Sequence, residues 1–353
     1  MMARFFGLWL ATLVISIAIP THEVAAQQLK LKANLQFPLA NPVFGGNFKR
    51  FKAELEKLSE GAITLEIFDK AQLFKDEEVV DAVSSGAVDI GMTAAHQFAY
   101  KVPLIAILDQ PFLFNFHALM KAAAMPGSAI RKDIDEAVLA RLGTRVLWWN
   151  PIGNNVMFSK GRDVADPARM KDQRVAAPGK IPGDFVAACG GTPAAMTIER
   201  FHEAYKSGTI DMSSAGFGAI ATYQLETFVD TVTFTNHTPI AFLYIINEKR
   251  WQTLSPVERN VIAKAAAKVE AEFADAATAS EARARAFAEK HGIKQVQLTP
   301  DQVAEWRACS AGMLADYMDR VGEAARKLMA AYGKLRTDPC CSAIPGVGEF
   351  TRR

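Results

Sequence analysis

The segment from Ser255 to His291 contains almost no residue that breaks a helix, and it restricts the possible folds more than any other part of the chain. Ser255 followed by Pro256 is a typical helix start, and Gly292 is a typical stop. Such a helix would be about 50 Å long at about 1.5 Å per residue, which is longer than one lobe is wide. The segment therefore predicts a helix that braces two lobes.

The length of the chain also favours two lobes. The chain has 353 residues, and about 327 remain if an N-terminal export signal is removed. Single hydrophobic cores tend to divide above about 250 to 300 residues. Hydrophobic residues make up 50% of the sequence and the formal net charge is +2. The chain can therefore bury a large core, and it has no electrostatic footprint for nucleic acid.

Strands and helices alternate in the first part of the chain. Phe48, Phe51, Leu55 and Leu58 recur at helical spacing, and Gly61 ends that helix. Segments with strand patterns flank this helix and the next one. The same order returns in the middle of the chain, which predicts an α/β fold of two similar lobes, each with a parallel sheet. The predicted strands of the two parts are LKLKANLQ, AITLEIF, AVDIGM, TRVLWWN, DQRVAAP and TIDMSSA.

The N-terminus has the pattern of an export signal. Arg4 supplies the positive charge, the apolar segment 5–19 the core, and residues 24–26 a small-residue cleavage site. About fifteen apolar residues are too few to span a bilayer, and no later segment is long and apolar enough. We therefore expect a soluble periplasmic protein. The predicted organisation is a signal peptide (1–26), mainly lobe 1 (27–150), mainly lobe 2 (151–240), return strands with the long helix and C-terminal helices (241–335), and an irregular tail (336–353).

The four cysteines do not indicate metal or redox chemistry. Cys189, Cys309, Cys340 and Cys341 have no CxxC spacing. In an oxidising compartment four cysteines allow three full pairings, and the sequence does not choose among them. Cys340 and Cys341 lie in an irregular tail segment, so they either link the tail to the body or stay free.

Motifs for catalysis are absent from the sequence. It contains no HExxH, no nucleophile elbow, no phosphate loop and no GxGxxG after a strand. The acids of DEEVVD, which begin at Asp76, fall in the first turn of a helix, where acids usually complement the helix dipole and lie in water. His202 beside Phe201 and Tyr205 is interpreted as a packing or surface residue. The sequence therefore predicts neither an enzyme nor a cofactor or metal site.

Small and polar residues follow several of the predicted strands. In open α/β folds, ligands bind outside the carboxyl ends of the strands, so these residues are expected to meet at one cleft. No nucleophile with a base is among them, which indicates binding without catalysis. The residues are Thr93, Ala94, Asn154, Asn155, Arg174, Ser213 and Ser214.

Several segments, in this order, resemble the solute-binding proteins of tripartite ATP-independent periplasmic (TRAP) transporters of the DctP type. The resemblance runs from about Leu29 to Lys334. It implies a two-lobed periplasmic-binding-protein (Venus flytrap) fold that captures a small organic acid and delivers it to membrane permease subunits. The segments are FKAELEKLSEGAITLEIFDKAQL, SSGAVDIGM, LDQPFLF, MKDQRV, EAYKSGTID and the long helix.

The resemblance implies that Arg174 is the principal ligand anchor, since MKDQRV resembles the segment that carries the family's carboxylate-binding arginine. A guanidinium matches a carboxylate with two hydrogen bonds. On that basis Arg174→Ala would cost about 3 kcal/mol or more, about a hundredfold in affinity. The alternative is that Arg174 forms a salt bridge between the lobes. Asn236 and His237 match a recurring pair near the cleft, and His237 either binds the ligand or braces its loop.

Departures from the family pattern bear on the ligand. Asn155 stands where many members have a second arginine, and Ser213 and Ser214 provide small neutral groups. One arginine favours a monocarboxylate, such as a 2-hydroxy, 2-keto or aromatic acid. Aromatic rings near the same strand ends could stack on the ligand, although Trp148 and Trp149 alternate across a strand, so at least one must face the core. The candidate rings are Trp148, Trp149, Phe37 and Phe217.

Two alternative functions share the same binding chemistry. The first is a receptor subunit that reports the ligand to a sensor kinase. The second is a periplasmic enzyme built on a binding-protein fold, which the missing nucleophile and base disfavour. Function as a transporter's solute-binding protein is the preferred interpretation.

Overall fold

A computed structural model describes residues 28–115, 117–339 and 341. The predicted signal peptide and most of the predicted tail lie outside these residues. The strands are β1 (Leu29–Asn34), β2 (Ile63–Phe68), β3 (Ile90–Ala94), β4 (Thr144–Ser159), β5 (Arg174–Ala177), β6 (Thr192–Ala195), β7 (Met212–Gly216), β8 (Thr231–Phe234), β9 (Pro239–Asn247) and β10 (Lys294–Gln297). The helices are α1 (Phe44–Leu58), α2 (Val79–Ser85), α3 (His117–Ala124), α4 (Ala129–Leu142), α5 (Lys180–Ala188), α6 (Phe201–Lys206), α7 (Ala219–Thr222), α8 (Glu248–Thr253), α9 (Pro256–Lys290), α10 (Pro300–Val321) and α11 (Glu323–Thr337).

The strands form two halves that share β4. The path runs β2-β1-β3-β9-β4-β7-β5-β6, and β8 joins β4 and carries β10. β1 pairs in parallel with β2 and β3, and β5 pairs in parallel with β6 and β7. The strands that cross between the halves, β4 and β9, pair antiparallel to each other and to β3, β7 and β8. The predicted α/β fold with two lobes is confirmed, and the crossing strands make each sheet mixed.

β4 passes from the first half to the second within one strand of 16 residues. Because successive side chains of a strand point to opposite faces, neighbours in β4 enter different cores. Trp148 and Trp149 lie in separate clusters on the two faces of the first half, and Met157 and Phe158 do the same in the second half. Residue 150, where the sequence analysis placed a lobe boundary, therefore falls inside a continuous strand.

The long helix α9 packs on both halves. Ser255 accepts a hydrogen bond from the backbone of Glu258 and Pro256 is the first helical residue, as the sequence predicts. Ile262 and Phe273, in its first half, belong to the core of the first lobe, whereas Ala284 and Ala288 belong to a core of the second. One helix thus contributes its apolar face to the cores of both lobes. α9 therefore holds the packed parts of the two lobes at a set spacing along its own length.

Cys189 and Cys309 form a disulfide with Cα atoms 5.0 Å apart. The bond joins the end of α5 to the middle of α10, so it fastens a C-terminal helix to the second lobe. α11 continues to Thr337, two residues into the predicted tail, and Cys341 is buried. Within the described part of the chain, no helix combines the length and the apolarity needed to cross a membrane.

Candidate functional site

A cavity of about 410 Å³ lies between the two halves, at the carboxyl ends of β1, β3, β5 and β7 and where β4 and β9 cross. Its size falls in the range of small-molecule sites. Gly179, after β5, has a positive φ of 91°, and a Cβ there would lie 2.8 Å from the Cδ2 of His96, after β3. The two halves thus approach closely across the cavity. Glycine at this position allows the contact.

Phenylalanine rings form one wall of the cavity in the first lobe. Phe37 follows β1 and stacks on Phe44 of α1 with ring centroids 4.1 Å apart. Phe242 of β9 lies 4.6 Å from Phe44 and 5.9 Å from Phe37. Ala94, at the end of β3, completes this wall without adding bulk. Phe37 and Ala94 therefore lie where the sequence places them, at the cleft.

Polar groups of the crossing strands lie at the base of the cavity. Asn155 is buried and its Nδ2 donates to the Oγ1 of Thr238 at 2.8 Å. Asn154 donates through Nδ2 to the carbonyl of Asn115 at 2.8 Å, and its Oδ1 has no partner among the described residues. Asn236 and Phe217 also line the cavity. Asn154, Asn155, Asn236 and Phe217 therefore all lie at the cleft, and their contact with a ligand stays a prediction.

Three carboxyl groups line the cavity without a cationic partner among the described residues: Asp76, Asp109 and Glu199. Burial raises the pKa of Asp76 to about 6, and the nearby charge of Glu199 acts in the same direction. Burial also raises the pKa of Asp109 to about 7. Asp76 is thus half-buried at the cavity, whereas Glu77 and Glu78 are exposed, so the expectation that the acids of DEEVVD lie in water fits only the latter two of these three.

Arg285 is the single arginine or lysine that lines the cavity in the described part of the chain. Its NH2 group donates to Glu281 at 2.8 Å, one turn earlier in α9, and its guanidinium lies over the ring of Phe234. His96 is the one histidine among the lining residues, and burial lowers its pKa to about 4, so it is neutral at pH 7. The cavity thus has more negative than positive charge.

Arg174 lies outside the cavity, which corrects the expectation drawn from the family resemblance. It is the first residue of β5, and the cavity is at the other end of the strand, beyond Ala177, about 10 Å away at the rise of a strand. The side chain is 47% exposed and forms a bidentate pair with Asp211, at 2.9 Å and 2.7 Å. Arg174 begins β5 and Asp211 directly precedes β7, two strands that pair in the same half, so the ion pair lies within one lobe and does not join the two lobes.

Replacing Arg174 with alanine is therefore expected to leave solute affinity within about twofold of the wild-type value. The reason is that loss of an exposed ion pair changes the energy little, and this pair lies far from the cavity. Isothermal titration with any solute that binds the wild-type protein would measure this. A hundredfold loss of affinity in Arg174→Ala would contradict this prediction and show that Arg174 is the ligand anchor implied by the family resemblance.

Three small residues of the predicted site support other side chains instead of lining the cavity. Thr93 is buried and donates to Asp76 Oδ1 at 2.7 Å. Ser213 accepts from the hydroxyl of Tyr205 at 2.8 Å, and Ser214 forms a hydrogen bond with His237 at 3.0 Å. Both serines precede the end of β7, where Ala215 and Phe217 face the cavity. The expected direct contacts of Thr93, Ser213 and Ser214 with the ligand are therefore not supported.

His237 and Trp149 are core residues. His237 is fully buried, hydrogen-bonded to Ser214 and at 2.7 Å to Thr235, and stacked on Phe185; burial lowers its pKa to about 3. The sequence left two roles open for His237, ligand binding and support of its own loop. Its hydrogen bonds to Ser214 and Thr235 are those of a residue that supports the loop. Trp149 donates through its indole to Asp135 at 2.9 Å, away from the cavity. Trp148 is likewise buried, so both tryptophans face core.

Sequence reasoning missed the charged lining of the cavity. Asp109 lies in LDQPFLF, a segment whose only signal was its resemblance to the family, and Glu199 is the second residue of the helical segment IERFHEAYKSG, where nothing in the sequence indicates a role for it. Arg285 is one of several charged residues on a long helix. An acid beside an apolar run was the available signal for Asp109, because a carboxyl group so placed is costly without a function. The described residues contain no cluster of His, Cys, Asp or Glu that could hold a metal ion.

Residues 36–320 match the DctP family, bacterial extracellular solute-binding protein, family 7. The chain belongs to this family. The C4-dicarboxylate-binding periplasmic protein DctP of Rhodobacter capsulatus is 22% identical over 287 residues, which cover 79% of this chain and 83% of that protein. The sialic acid-binding periplasmic protein SiaP of Vibrio cholerae is 22% identical over 323 residues, 90% of this chain and 98% of that protein.

Solved structures show the same fold. DctP7 of Bordetella pertussis, an extracytoplasmic solute receptor binding pyroglutamic acid, superposes with a TM-score of 0.80 at 21% identity, covering 86% of this chain and 99% of that one. The resemblance to DctP-type proteins that the sequence indicates is therefore confirmed, as is the fold class. In the part of this chain that the structure describes, the ionisable carboxyl groups of the cavity that lack a cationic partner are Asp76, Asp109 and Glu199.

Proposed function

We propose that this DctP-family protein is the extracytoplasmic solute-binding component of a TRAP transporter, which captures a small solute in the cavity between its lobes and delivers it to the membrane permease. The observation that carries the proposal is the cavity of about 410 Å³ at the carboxyl ends of strands from both halves. Two sequence relatives are named as binding C4-dicarboxylates and sialic acid, and a solved structure of the same fold binds pyroglutamic acid. These ligands indicate the expected size of the solute.

The expected mechanism is closure of the lobes on the solute. β4 and β9 connect the halves, and the contact of His96 with Gly179 across the cavity is of the kind that hinge closure forms. A solute held by groups from both halves would stabilise the closed form over the open one, since a ligand shifts a conformational equilibrium by its differential affinity. Location in the periplasm follows if residues 1–26 act as the predicted export signal.

Arg174 cannot hold a monocarboxylate in the cavity, since it lies at the far end of β5. The expected ligand class therefore lacks the arginine on which it was based. An acid bound in the cavity would instead have to meet Arg285, which already pairs with Glu281. No observation on this chain favours the alternatives of a sensor-kinase receptor or an enzyme. Capture and delivery of a solute is the function that the cavity and the family support best.

A thermal-shift screen of the mature protein tests solute capture. The panel contains small acids, amines, zwitterions and neutral sugars. A solute at about a hundred times its dissociation constant should stabilise the folded state by about 2.7 kcal/mol, a shift of several degrees. Ser280→Trp, which adds bulk to the cavity from α9, should abolish the shift. Ala279→Trp, at the exposed neighbouring position, is the matched control and should retain it.

Two results would contradict solute capture in this cavity. The first is that no member of the panel raises the melting temperature. The second is that a solute does so equally in wild type and in Ser280→Trp, which would place its site elsewhere.

A further inference from the structure

The fully buried side-chain atoms that line the cavity without a hydrogen-bond partner among the described residues are all acceptors. Among the described lining residues, the buried side-chain atoms without a partner are Gln36 Oε1, Asp109 Oδ2 and Asn154 Oδ1. The amide nitrogens of Gln36 and Asn154 donate to protein groups, which fixes the orientation of both amides. A solute that displaces water from these three acceptors is expected to donate hydrogen bonds to them. A carboxylate has no proton to donate.

Of these three residues, Asp109 has the greatest need for a hydrogen-bond donor or a cation from the solute. It ends the 3-10 helix Pro103–Asp109, its residue surface is only 6% exposed, and its Oδ2 has no hydrogen-bond partner in the part of the chain that the structure describes. None of the ion pairs of the described residues involves it. A buried carboxyl group without donor or cation is disfavoured in its charged form, as its pKa of about 7 reflects. A cation placed beside it would remove this penalty.

Asp76 and Glu199 bring further negative charge from the two lobes. Asp76 is held in place by Gln36 at 2.9 Å, Thr93 at 2.7 Å and Gln97 at 2.8 Å. Glu199, from the second lobe, accepts from Tyr223 at 3.2 Å, and its charge disfavours ionisation of Asp76. Because like charges repel, the approach of the lobes is opposed when both groups are ionised. A cation between them would reverse the sign of that interaction.

The apolar wall suits the same kind of solute. Phe37, Phe44 and Phe242 present aromatic rings to the cavity. The faces of aromatic rings carry negative partial charge and attract ammonium groups. On the opposite side, the rings of Phe217 and Phe234 already lie beneath the guanidinium of Arg285, at 5.7 Å and 4.8 Å.

We propose that the solute carries an ammonium group, as a small organic amine or a zwitterion, and that Asp109, with Asp76 and Glu199, is its counter-ion. This assignment rests on the proposed function, since it names the solute class for the same cavity. An amine would use only the acidic groups and the rings. A zwitterion would in addition direct its carboxylate toward Arg285.

Titration calorimetry with defined probes at pH 8 tests the assignment. Ethanolamine and putrescine represent amines, glycine and proline represent zwitterions, and pyroglutamate, succinate and gluconate represent acids. We expect at least one amine or zwitterion to bind. Asp109→Asn and Glu199→Gln should each weaken that binding at least tenfold. Glu77→Gln, which removes one negative charge at an exposed position beside Asp76, is the matched control and should change it less than twofold.

The pH dependence in the wild-type protein is a test that does not rely on a variant folding. A solute with an ammonium group requires ionised carboxyls, so its affinity should fall as the pH is lowered from 8 through 7 and 6, where Asp109 and Asp76 take up protons. The other titratable or charged groups facing the cavity are His96, Glu199, Tyr223, Glu281 and Arg285. Burial lowers the pKa of His96 to about 4, so His96 does not titrate in this range. An anionic solute would show the opposite trend.

The outcomes separate this assignment from the proposed function. Binding of amines alone, or of zwitterions with the same dependence on Asp109, supports the assignment and distinguishes its two forms. Binding of acids alone, or of a neutral sugar with a flat pH profile, overturns the assignment while solute capture stands. Absence of binding by every probe and by every member of the wider thermal-shift panel would overturn solute capture itself.

Discussion

Replacing Arg131 with alanine is expected to lower the free energy of unfolding by about 3 to 5 kcal/mol, the usual cost of removing one partner of a buried ion pair. Arg131 of α4 is 8% exposed and donates to Glu270 of α9 at 2.6 Å. Glu270 also accepts from the backbone of Trp149 in β4, and Asp135 accepts from its indole. Loss of the guanidinium leaves two carboxylates together in a poorly solvated space. Chemical denaturation monitored by tryptophan fluorescence would measure the change.

The pH dependence of this deficit identifies its cause. Burial raises the pKa of Glu270 and raises that of Asp135 to about 6, and in both cases Arg131 opposes the increase. Without Arg131 the folded-state pKa values rise further above those of the unfolded chain. Folding then takes up protons, so the variant should recover stability as the pH falls from 8 to 5.

Lys132→Ala provides the matched control for Arg131→Ala. Lys132 is the next residue of α4, and its side chain is 68% exposed. Its replacement should change the unfolding free energy by less than about 1 kcal/mol. A loss in Arg131→Ala that is equally small, or that is independent of pH, would contradict the role assigned to the buried pair.

Removal of the Cys189–Cys309 disulfide by the double substitution to alanine is expected to cost about 4 kcal/mol. The bond closes a loop with a sequence separation of 120 residues, and the loss of chain entropy on cross-linking rises with loop length. Ala is small enough for both sites, where the sulfur atoms lie among Phe185, Val186 and Trp306. For a protein of this size the melting temperature should fall on the order of 10 °C.

Differential scanning calorimetry without reductant measures this effect, because the other cysteines then stay in the same oxidation state in wild type and variant. Each single variant should lose about as much as the double variant, because either substitution removes the same bond. A double variant that melts within 2 °C of wild type would show that the cross-link adds little to the stability of the native fold.

The sequence was sufficient for the fold because the relevant signals are local and repeated. The capping residues of α9, the helical spacing of Phe48 and Phe51 in α1, and the alternation of Ile63 and Leu65 in β2 each specify an element without reference to its partners. The order of these elements then limits the topology to an α/β fold of two lobes. Long-range contacts were not needed for this conclusion.

The site was only partly predictable because the strand ends were located to within a few residues. Asn154, Asn155, Ala94, Phe37, Phe217 and Asn236 line the cavity as expected. Arg174 does not, since β5 begins at this residue and the cavity lies beyond its other end. A difference of three residues in a strand moves a side chain by about 10 Å, which exchanges a ligand anchor for a surface ion pair.

The sequence by itself determined the elements, their order, the two-lobed α/β class and the family, because each of these depends on patterns within neighbouring residues. Only the tertiary structure decided the charge of the cavity. Asp76, Asp109 and Glu199 are far apart in the chain, and their effect depends on which residues surround them after folding. Local sequence does not record that Arg285 pairs with Glu281 while Asp109 has no partner among the residues that the structure describes, because electrostatic interactions depend on distance and burial in three dimensions.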